Sequence, residues 1–101
     1  MKSVDVGPSE DYPEGEKRSA ELEGEIVMLV RYKGIVRAME SHCPHQHSSL
    51  LFGTVDEGKV VCRMHRAVFS LEDGKVLGGP ARRDLRTFSV EERDGRIFLM
   101  P

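Results

Sequence analysis

The chain has 101 residues and a formal net charge of −2, with 39% hydrophobic and 32% charged residues. This length suits one domain with a modest core, and we expect residues 1–101 to form it. No apolar run approaches the ~20 residues of a membrane span, and acidic residues stand at positions 5, 10 and 11, where a signal peptide would be apolar. A sequence pI near 6.1 and only 6% aromatic residues argue against nucleic-acid binding. We therefore predict a cytoplasmic protein that binds neither membranes nor nucleic acid.

The predicted elements are short strands separated by turns that contain glycine, and the first clear pair lies in the first half of the chain. Residues 25–31 and 35–40 predict a hairpin, with Val27, Leu29 and Ile35 facing the core. Apolar segments of this length that alternate with turns containing glycine are typical of a β-protein.

Four further strands are predicted in the second half. Residues 59–62 and 67–71 form two short strands around a tight connection, and residues 87–92 and 96–100 form a closing hairpin. No segment carries a sustained helical stripe of apolar residues. The chain is therefore predicted to be all-β.

Two pairs of metal-binding residue types stand at the centre of the chain. Cys43 and His45 are two positions apart, Cys62 and His65 are three apart, and the sixteen residues 46–61 separate the pairs. Proline and glycine within and between the pairs favour loops over a helix. We expect the two loops to bring all four side chains to one metal centre, and because the chain has only two cysteines we expect no disulfide.

The ligand types alone leave three kinds of centre open. Two thiolates and two imidazoles suit zinc, copper or an iron–sulfur cluster. Structural zinc sites commonly pair cysteine with cysteine and histidine with histidine, whereas each loop here supplies one of each. Mixed loops favour a diiron cluster with two Cys on one iron and two His on the other.

The arrangement C-x-H, sixteen residues, C-x-x-H resembles the Rieske signature, and the chain is similar to the Rieske-type [2Fe-2S] ferredoxins, the ferredoxin components of ring-hydroxylating oxygenase systems. The likeness extends over nearly the whole chain. Its other parts are the opening turn at residues 11–15, Ala38 before the first loop, the L-x-x-G step at residues 50–53, the F-D-x-x-T-G-like turn at residues 69–74, and the proline loop at residues 79–80.

The resemblance implies the Rieske fold of three antiparallel sheets, with residues about 41–80 as a cluster-binding subdomain. It implies one [2Fe-2S] cluster, with Cys43 and Cys62 on one iron and His45 and His65 on the other. It also implies a monomeric one-electron carrier, not itself an enzyme, that passes electrons from a flavin-dependent reductase to a terminal oxygenase of the aromatic-ring dioxygenase type.

Some positions depart from relatives of this kind. Arginines replace the proline and the glycine that many relatives carry after the second Cys and the second His, and a net positive set of residues surrounds them. Its basic members are Arg63, Arg66, Lys75, Arg82 and Arg83. We interpret this basic set as a docking surface for an acidic partner; the alternative is an ordinary solvated surface.

The respiratory branch of the family differs at four positions. It carries a second Cys in each ligand loop, where this chain has Ser48 and Met64. It also carries a Ser and a Tyr that donate hydrogen bonds to the cluster sulfurs, where this chain has Ala67 and Phe69, whose side chains cannot donate. The resemblance thus excludes that branch and implies a low reduction potential.

Two other functions remain open. One is the small subunit of an assimilatory nitrite reductase, which shares the fold but often lacks the ligands. The other is a non-redox zinc-binding interaction module. An oxygenase site of its own would need two further histidines and a carboxylate, and the remaining His42 and His47 crowd the first ligand pair, where we expect solvated loop residues.

Overall fold

The structure is a computed structural model, and it describes residues 3–42, 49–62, 67–79 and 83–101. These described ranges contain ten β-strands and two short 3-10 helices, Ser9–Asp11 and Leu50–Phe52. The strands are β1 (Val4–Pro8), β2 (Lys17–Leu22), β3 (Glu25–Tyr32), β4 (Ile35–Glu40), β5 (Thr54–Asp56), β6 (Lys59–Val61), β7 (Val68–Ser70), β8 (Val76–Gly78), β9 (Thr87–Arg93) and β10 (Arg96–Met100). Within these ranges no helix is long and apolar enough to cross a membrane.

The strands form two antiparallel arrangements. A six-stranded sheet has the order β1-β10-β9-β4-β3-β2, and a four-stranded sheet has the order β5-β6-β7-β8. In the larger sheet β4 meets β9 through only two residue pairs, Ala38 with Phe88 and Met39 with Thr87. The prediction of an all-β, antiparallel protein is confirmed. The short β4–β9 contact joins two of the three expected sheets, β1-β10-β9 and β4-β3-β2, edge to edge.

The first predicted hairpin is present as β3 and β4. Its two-residue turn has positive φ angles at Lys33 and Gly34, of 54° and 80°, as the favoured hairpin turn requires. Val27 and Leu29 are buried as predicted. The prediction for Ile35 is wrong, because this side chain is 55% exposed at the hairpin tip. Adjacent strand residues point to opposite faces, and it is the neighbouring Val36 that reaches the core.

Strand β3 lies between two hydrophobic cores. Val27 and Leu29 pack into a core with residues of β10, while Met28 and Val30 pack into a second core shared with the four-stranded sheet. The second core matters for the site, because the four-stranded sheet carries the strands on either side of the second predicted ligand pair.

The remaining predicted strands also match the structure. Residues 59–62 and 67–71 contain β6 and β7, which pair with each other, and the predicted closing hairpin corresponds to β9 and β10. Register in the closing hairpin pairs Arg93 with Arg96 across a two-residue turn at Asp94 and Gly95.

Candidate metal centre

Of the four predicted ligands, Cys62 belongs to the part of the chain that the structure describes. Cys43, His45 and His65 lie outside it. Other predicted positions outside the described residues are His47, Ser48, Arg63, Met64, Arg66, Pro80 and Arg82. The site is therefore built from the two stems, meaning the residues that flank the ligand loops on each side.

The stem of the second loop is the β6–β7 hairpin. Cys62 directly follows β6 and is fully buried. Its backbone N–H donates to the Ala67 carbonyl at 2.8 Å, one step beyond the pairing of Val61 with Val68. Residues 63–66 thus lie between two ends that a continuing ladder of hydrogen bonds holds together, and Cys62 starts the loop from a fixed position.

The stem of the first loop closes in the same manner. His42 and Ser49 form an antiparallel bridge, and the Leu50 N–H donates to the Ser41 carbonyl at 2.6 Å. Residues 43–48 lie between these partners. Each predicted Cys-His pair therefore belongs to a short loop whose two ends are joined by backbone hydrogen bonds.

His42 itself is exposed and its ring lies against the stem. The buried Ser41 hydroxyl oxygen is 2.9 Å from the Ile26 carbonyl oxygen and 3.1 Å from His42 Nδ1. A carbonyl can only accept, so the hydroxyl proton goes to Ile26 and the His42 Nδ1–H must donate to the hydroxyl oxygen. This arrangement agrees with the interpretation of His42 as a solvated loop residue.

The two stems touch each other at the turn that follows the first loop. The Ser49 hydroxyl accepts from the Leu51 N–H at 3.2 Å, and the Gly53 N–H donates to the Leu50 carbonyl at 2.9 Å, which closes a single helical turn. Gly53 then passes so close to the Val61 carbonyl that a Cβ would overlap it. The predicted L-x-x-G step thus places the first stem against the residue that precedes Cys62.

Cys62 belongs to an apolar core cluster, and three members of this cluster form what we call the apolar wall. Leu50, Ala67 and Phe69 are fully buried in the same core cluster as Cys62. None of these three side chains can donate a hydrogen bond. A buried thiol in a wall of this kind suits a soft metal centre, so the described residues fit an iron–sulfur cluster.

A buried carboxylate, which the sequence did not predict as part of the site, lies beside the first stem. Glu40 Oε1 accepts from Arg83 Nη1 at 2.7 Å and Oε2 accepts from Arg83 Nη2 at 3.1 Å. Burial raises the pKa of the Glu40 carboxyl, but hydrogen bonds from Arg83 and from the Arg86 backbone outweigh burial and hold that pKa below its ordinary value. The available sequence signal was an acidic residue at the end of an otherwise apolar strand. Arg83, one member of the predicted basic set, is thereby neutralised, whereas Lys75 is exposed.

Comparisons with known proteins agree with this geometry. The family description "Rieske [2Fe-2S] domain" matches residues 2–89. The 3-phenylpropionate/cinnamic acid dioxygenase ferredoxin subunit of Photorhabdus laumondii is 33% identical over 100 residues, which are 98% of this chain and 94% of that protein. The ferredoxin of carbazole 1,9a-dioxygenase from Nocardioides aromaticivorans superposes with a TM-score of 0.93 at 22% identity, covering 100% of this chain and 99% of that one.

A third comparison involves an assembly. A chain in the complex of reduced oxygenase and oxidised ferredoxin of carbazole 1,9a-dioxygenase superposes with a TM-score of 0.90 at 25% identity, over 97% of this chain and 92% of that one. A Rieske domain carries one [2Fe-2S] cluster on two Cys and two His, the same residue types as in the two predicted pairs. The family match over most of the chain and the buried Cys62 between closed stems lead to one assignment: the chain belongs to the Rieske [2Fe-2S] family.

Proposed function

We propose that this protein carries single electrons from a flavin-dependent reductase to a terminal oxygenase, with its cluster bound by Cys43, His45, Cys62 and His65. The observation that carries the proposal is the fully buried Cys62 at the end of a closed hairpin, with the first stem packed against the residue before it. The relatives named above as ferredoxin components support the direction of transfer, and the solved complex pairs such a ferredoxin with an oxygenase.

When bound, the cluster supplies reversible one-electron chemistry. Cys43 and Cys62 would hold one iron as thiolates, and His45 and His65 would hold the other as neutral imidazoles. The backbone hydrogen bonds that Cys62 and Leu50 donate to Ala67 and Ser41 would fix the points from which these ligands start. The wall of Leu50, Ala67 and Phe69 keeps water from the Cys62 side.

We also propose that residues 1–101 form a single domain in which residues about 41–80 are the cluster-binding subdomain, and that the protein works in the cytoplasm as a monomer. The four-stranded sheet supports this division, because β5 to β8 stand between β4 and β9 in the chain.

Two other functions have less support. The relatives described above are ferredoxin components, which favours an electron carrier over the small subunit of an assimilatory nitrite reductase. The Rieske family match favours iron and sulfide over a zinc-binding interaction module. Metal content separates the zinc module from the carrier, and electron transfer to an oxygenase separates the carrier from a reductase subunit.

The ligand set is tested by histidine substitutions with a matched control. His45→Ala and His65→Ala should each abolish the rhombic EPR signal of the reduced protein, because each removes one of the two imidazoles on the same iron. His42→Ala, which alters an exposed histidine next to the first pair, should keep the wild-type spectrum. A normal cluster in His65→Ala, or a cluster lost in His42→Ala, would require a different ligand set.

The direction of transfer is tested by rapid mixing. The dithionite-reduced protein, freed of excess reductant, is mixed with an oxidised Rieske oxygenase, and the visible bands of both proteins are followed. We expect one electron per chain to leave at a rate that increases with oxygenase concentration. A reduced protein that passes no electron to Rieske oxygenases, yet holds its cluster, would contradict the carrier function and leave the ligand set intact.

A further inference from the structure

Residues 83–86, which we call the link segment, are fastened to the side of the molecule that carries the second ligand pair. The Leu85 N–H donates to the Gly74 carbonyl at 2.8 Å, and the Leu85 side chain is buried in the core of the four-stranded sheet. The Asp84 carboxylate accepts from the Val76 N–H at 2.9 Å. These contacts fix the link segment to β8 and to the turn between β7 and β8.

The same segment is held from the other side by one residue, Glu40. Glu40 is the last residue of β4 and precedes Cys43 by three positions. Its N–H donates to the Arg86 carbonyl at 2.9 Å, and its Oε1 accepts from the Arg86 N–H at 2.7 Å. The bidentate pair with the Arg83 guanidinium completes the contact. The link segment therefore connects the strand that enters the first ligand loop to the hairpin that leaves the second.

Burial distinguishes this contact from a surface ion pair. The Glu40 side chain is 8% exposed and the Arg83 side chain is 54% exposed. A carboxylate removed from water must be compensated by hydrogen bonds, and here both oxygens are bonded. Bidentate geometry further restricts the orientation of both partners. The contact is therefore suited to holding a fixed distance between the two stems.

We propose that Glu40 is a positioning residue, which acts through the link segment to set the spacing of the two ligand loops and with it the electronic structure and retention of the cluster. This inference rests on the proposed ligand set. We call the Glu40–Arg83 pair the clamp. Loss of the clamp should let the first stem shift relative to the second, so the two ligand pairs should hold the cluster less firmly.

The test uses two variants and one control, all as cluster-containing proteins. Glu40→Gln and Arg83→Gln each break the bidentate pair. Glu92→Gln breaks a similar pair in the six-stranded sheet, where Arg31 donates to both carboxylate oxygens of Glu92 at 3.1 and 2.9 Å. The readouts are the g values of the reduced protein, the midpoint potential, and the rate at which a chelator bleaches the visible spectrum.

We expect Glu40→Gln and Arg83→Gln to move the g values in the same direction and to bleach about tenfold faster than wild type, the factor expected for losing a hydrogen bond to a charged group. Glu92→Gln should match wild type in its g values and in its bleaching rate. A pure effect of charge would differ, because removing the negative Glu40 would raise the midpoint potential and removing the positive Arg83 would lower it. Opposite potential shifts with unchanged g values and bleaching rates would overturn the proposal.

Three other outcomes are also decisive. If Glu40→Gln does not fold, Arg83→Gln decides alone, because in that variant Glu40 Oε1 still accepts from the Arg86 N–H. If the wild-type protein holds no [2Fe-2S] cluster, the ligand set and this inference fail together. If the wild-type protein holds the cluster and both variants behave as it does, only the positioning role of Glu40 is wrong.

Discussion

Gly53 lies against the carbonyl group of Val61, at a distance that leaves no room for a Cβ. The φ angle of Gly53 is −79°, which any residue can adopt, so the close approach and not the backbone conformation requires glycine. Lys17 of β2 donates to the Gly53 carbonyl, and burial lowers the pKa of this ammonium. The contact between Gly53 and Val61 joins the stem of the first ligand loop to β6, which ends immediately before Cys62.

Gly53→Ala is therefore expected to destabilise the protein by about 1–3 kcal/mol, the usual cost of forcing an extra group into a packed site. For a domain of this size that corresponds to an apparent melting temperature lower by about 4–8 °C per kcal/mol. Gly78→Ala is the matched control, since its Cβ would enter open space at an ordinary φ angle. Thermal unfolding that affects Gly78→Ala as much as Gly53→Ala would contradict the importance of the contact.

The reduction potential should be low, because the side chains of Ala67 and Phe69 have no hydrogen-bond donor to offer the cluster sulfurs or the Cys62 sulfur. Donors to sulfur stabilise the more negative, reduced cluster, so we expect a midpoint at the low end of the Rieske span of about −150 to +300 mV. Restoring a donor by Phe69→Tyr or Ala67→Ser should raise the midpoint by some tens of millivolts, with an upper bound of roughly 60–130 mV.

Phe98→Tyr is the control for this change, since it adds the same hydroxyl to β10 of the six-stranded sheet. Redox titration followed by visible circular dichroism gives each midpoint. A wild-type midpoint near the top of the span would contradict this account of the tuning. So would a downward shift in a Phe69→Tyr protein whose hydroxyl is seen bonded to the cluster or to Cys43.

Electrostatic docking of an acidic partner predicts that electron delivery slows as salt rises, because exposed charges are screened over about 8–10 Å at physiological ionic strength. Arg66→Glu should lower the association rate and leave the optical spectrum unchanged. Lys33→Glu, a charge reversal at the opposite end of β4 from the ligand loop, should have a much smaller effect. Association rates that respond neither to salt nor to Arg66→Glu would show that the basic set is an ordinary solvated surface.

The free energy of unfolding should decrease in acid, partly because the Glu40 carboxyl becomes protonated. Its folded-state pKa is lowered from 4.5, so its contribution is fully present above about pH 4.5 and is lost as pH falls through the folded-state value. In Glu40→Gln the slope of unfolding free energy with pH in this acidic range should be shallower, by at most about 1.4 kcal/mol per pH unit. Urea midpoints at a series of pH values measure the slope, with Glu23→Gln, an exposed turn residue, as control. Equal slopes in wild type and Glu40→Gln would contradict the assigned direction of the pKa.

Sequence patterns predicted the strands that alternate clearly or flank the ligand pairs, and they missed β1, β2, β5 and β8. Three-residue strands such as β5 and β8 are too short for a period of two to be seen. Strand β2 contains three charged residues and one buried residue, so it resembles a loop in composition. The prediction that only Val27 and Leu29 face the core missed Met28 and Val30, which are buried because a second core forms on the opposite face of β3.

The candidate site also has one part that the sequence predicts and one part that it does not. The spacing of Cys43, His45, Cys62 and His65 is local information, and it indicates the family without knowledge of the fold. The clamp between Glu40 and Arg83 spans 43 positions in the sequence, so only the folded chain shows that an acid and a base at that separation meet. A count of charges could place Arg83 in a basic set, but it could not reveal that its charge is neutralised.

The most direct test of the central claim is the composition and spectrum of the purified protein. We predict two irons and two acid-labile sulfides per chain, a red-brown colour, and a rhombic EPR signal that appears only after reduction. These properties follow from two thiolates on one iron and two imidazoles on the other. A colourless protein with one tightly held zinc per chain, obtained from cells grown with ample iron, would contradict the account.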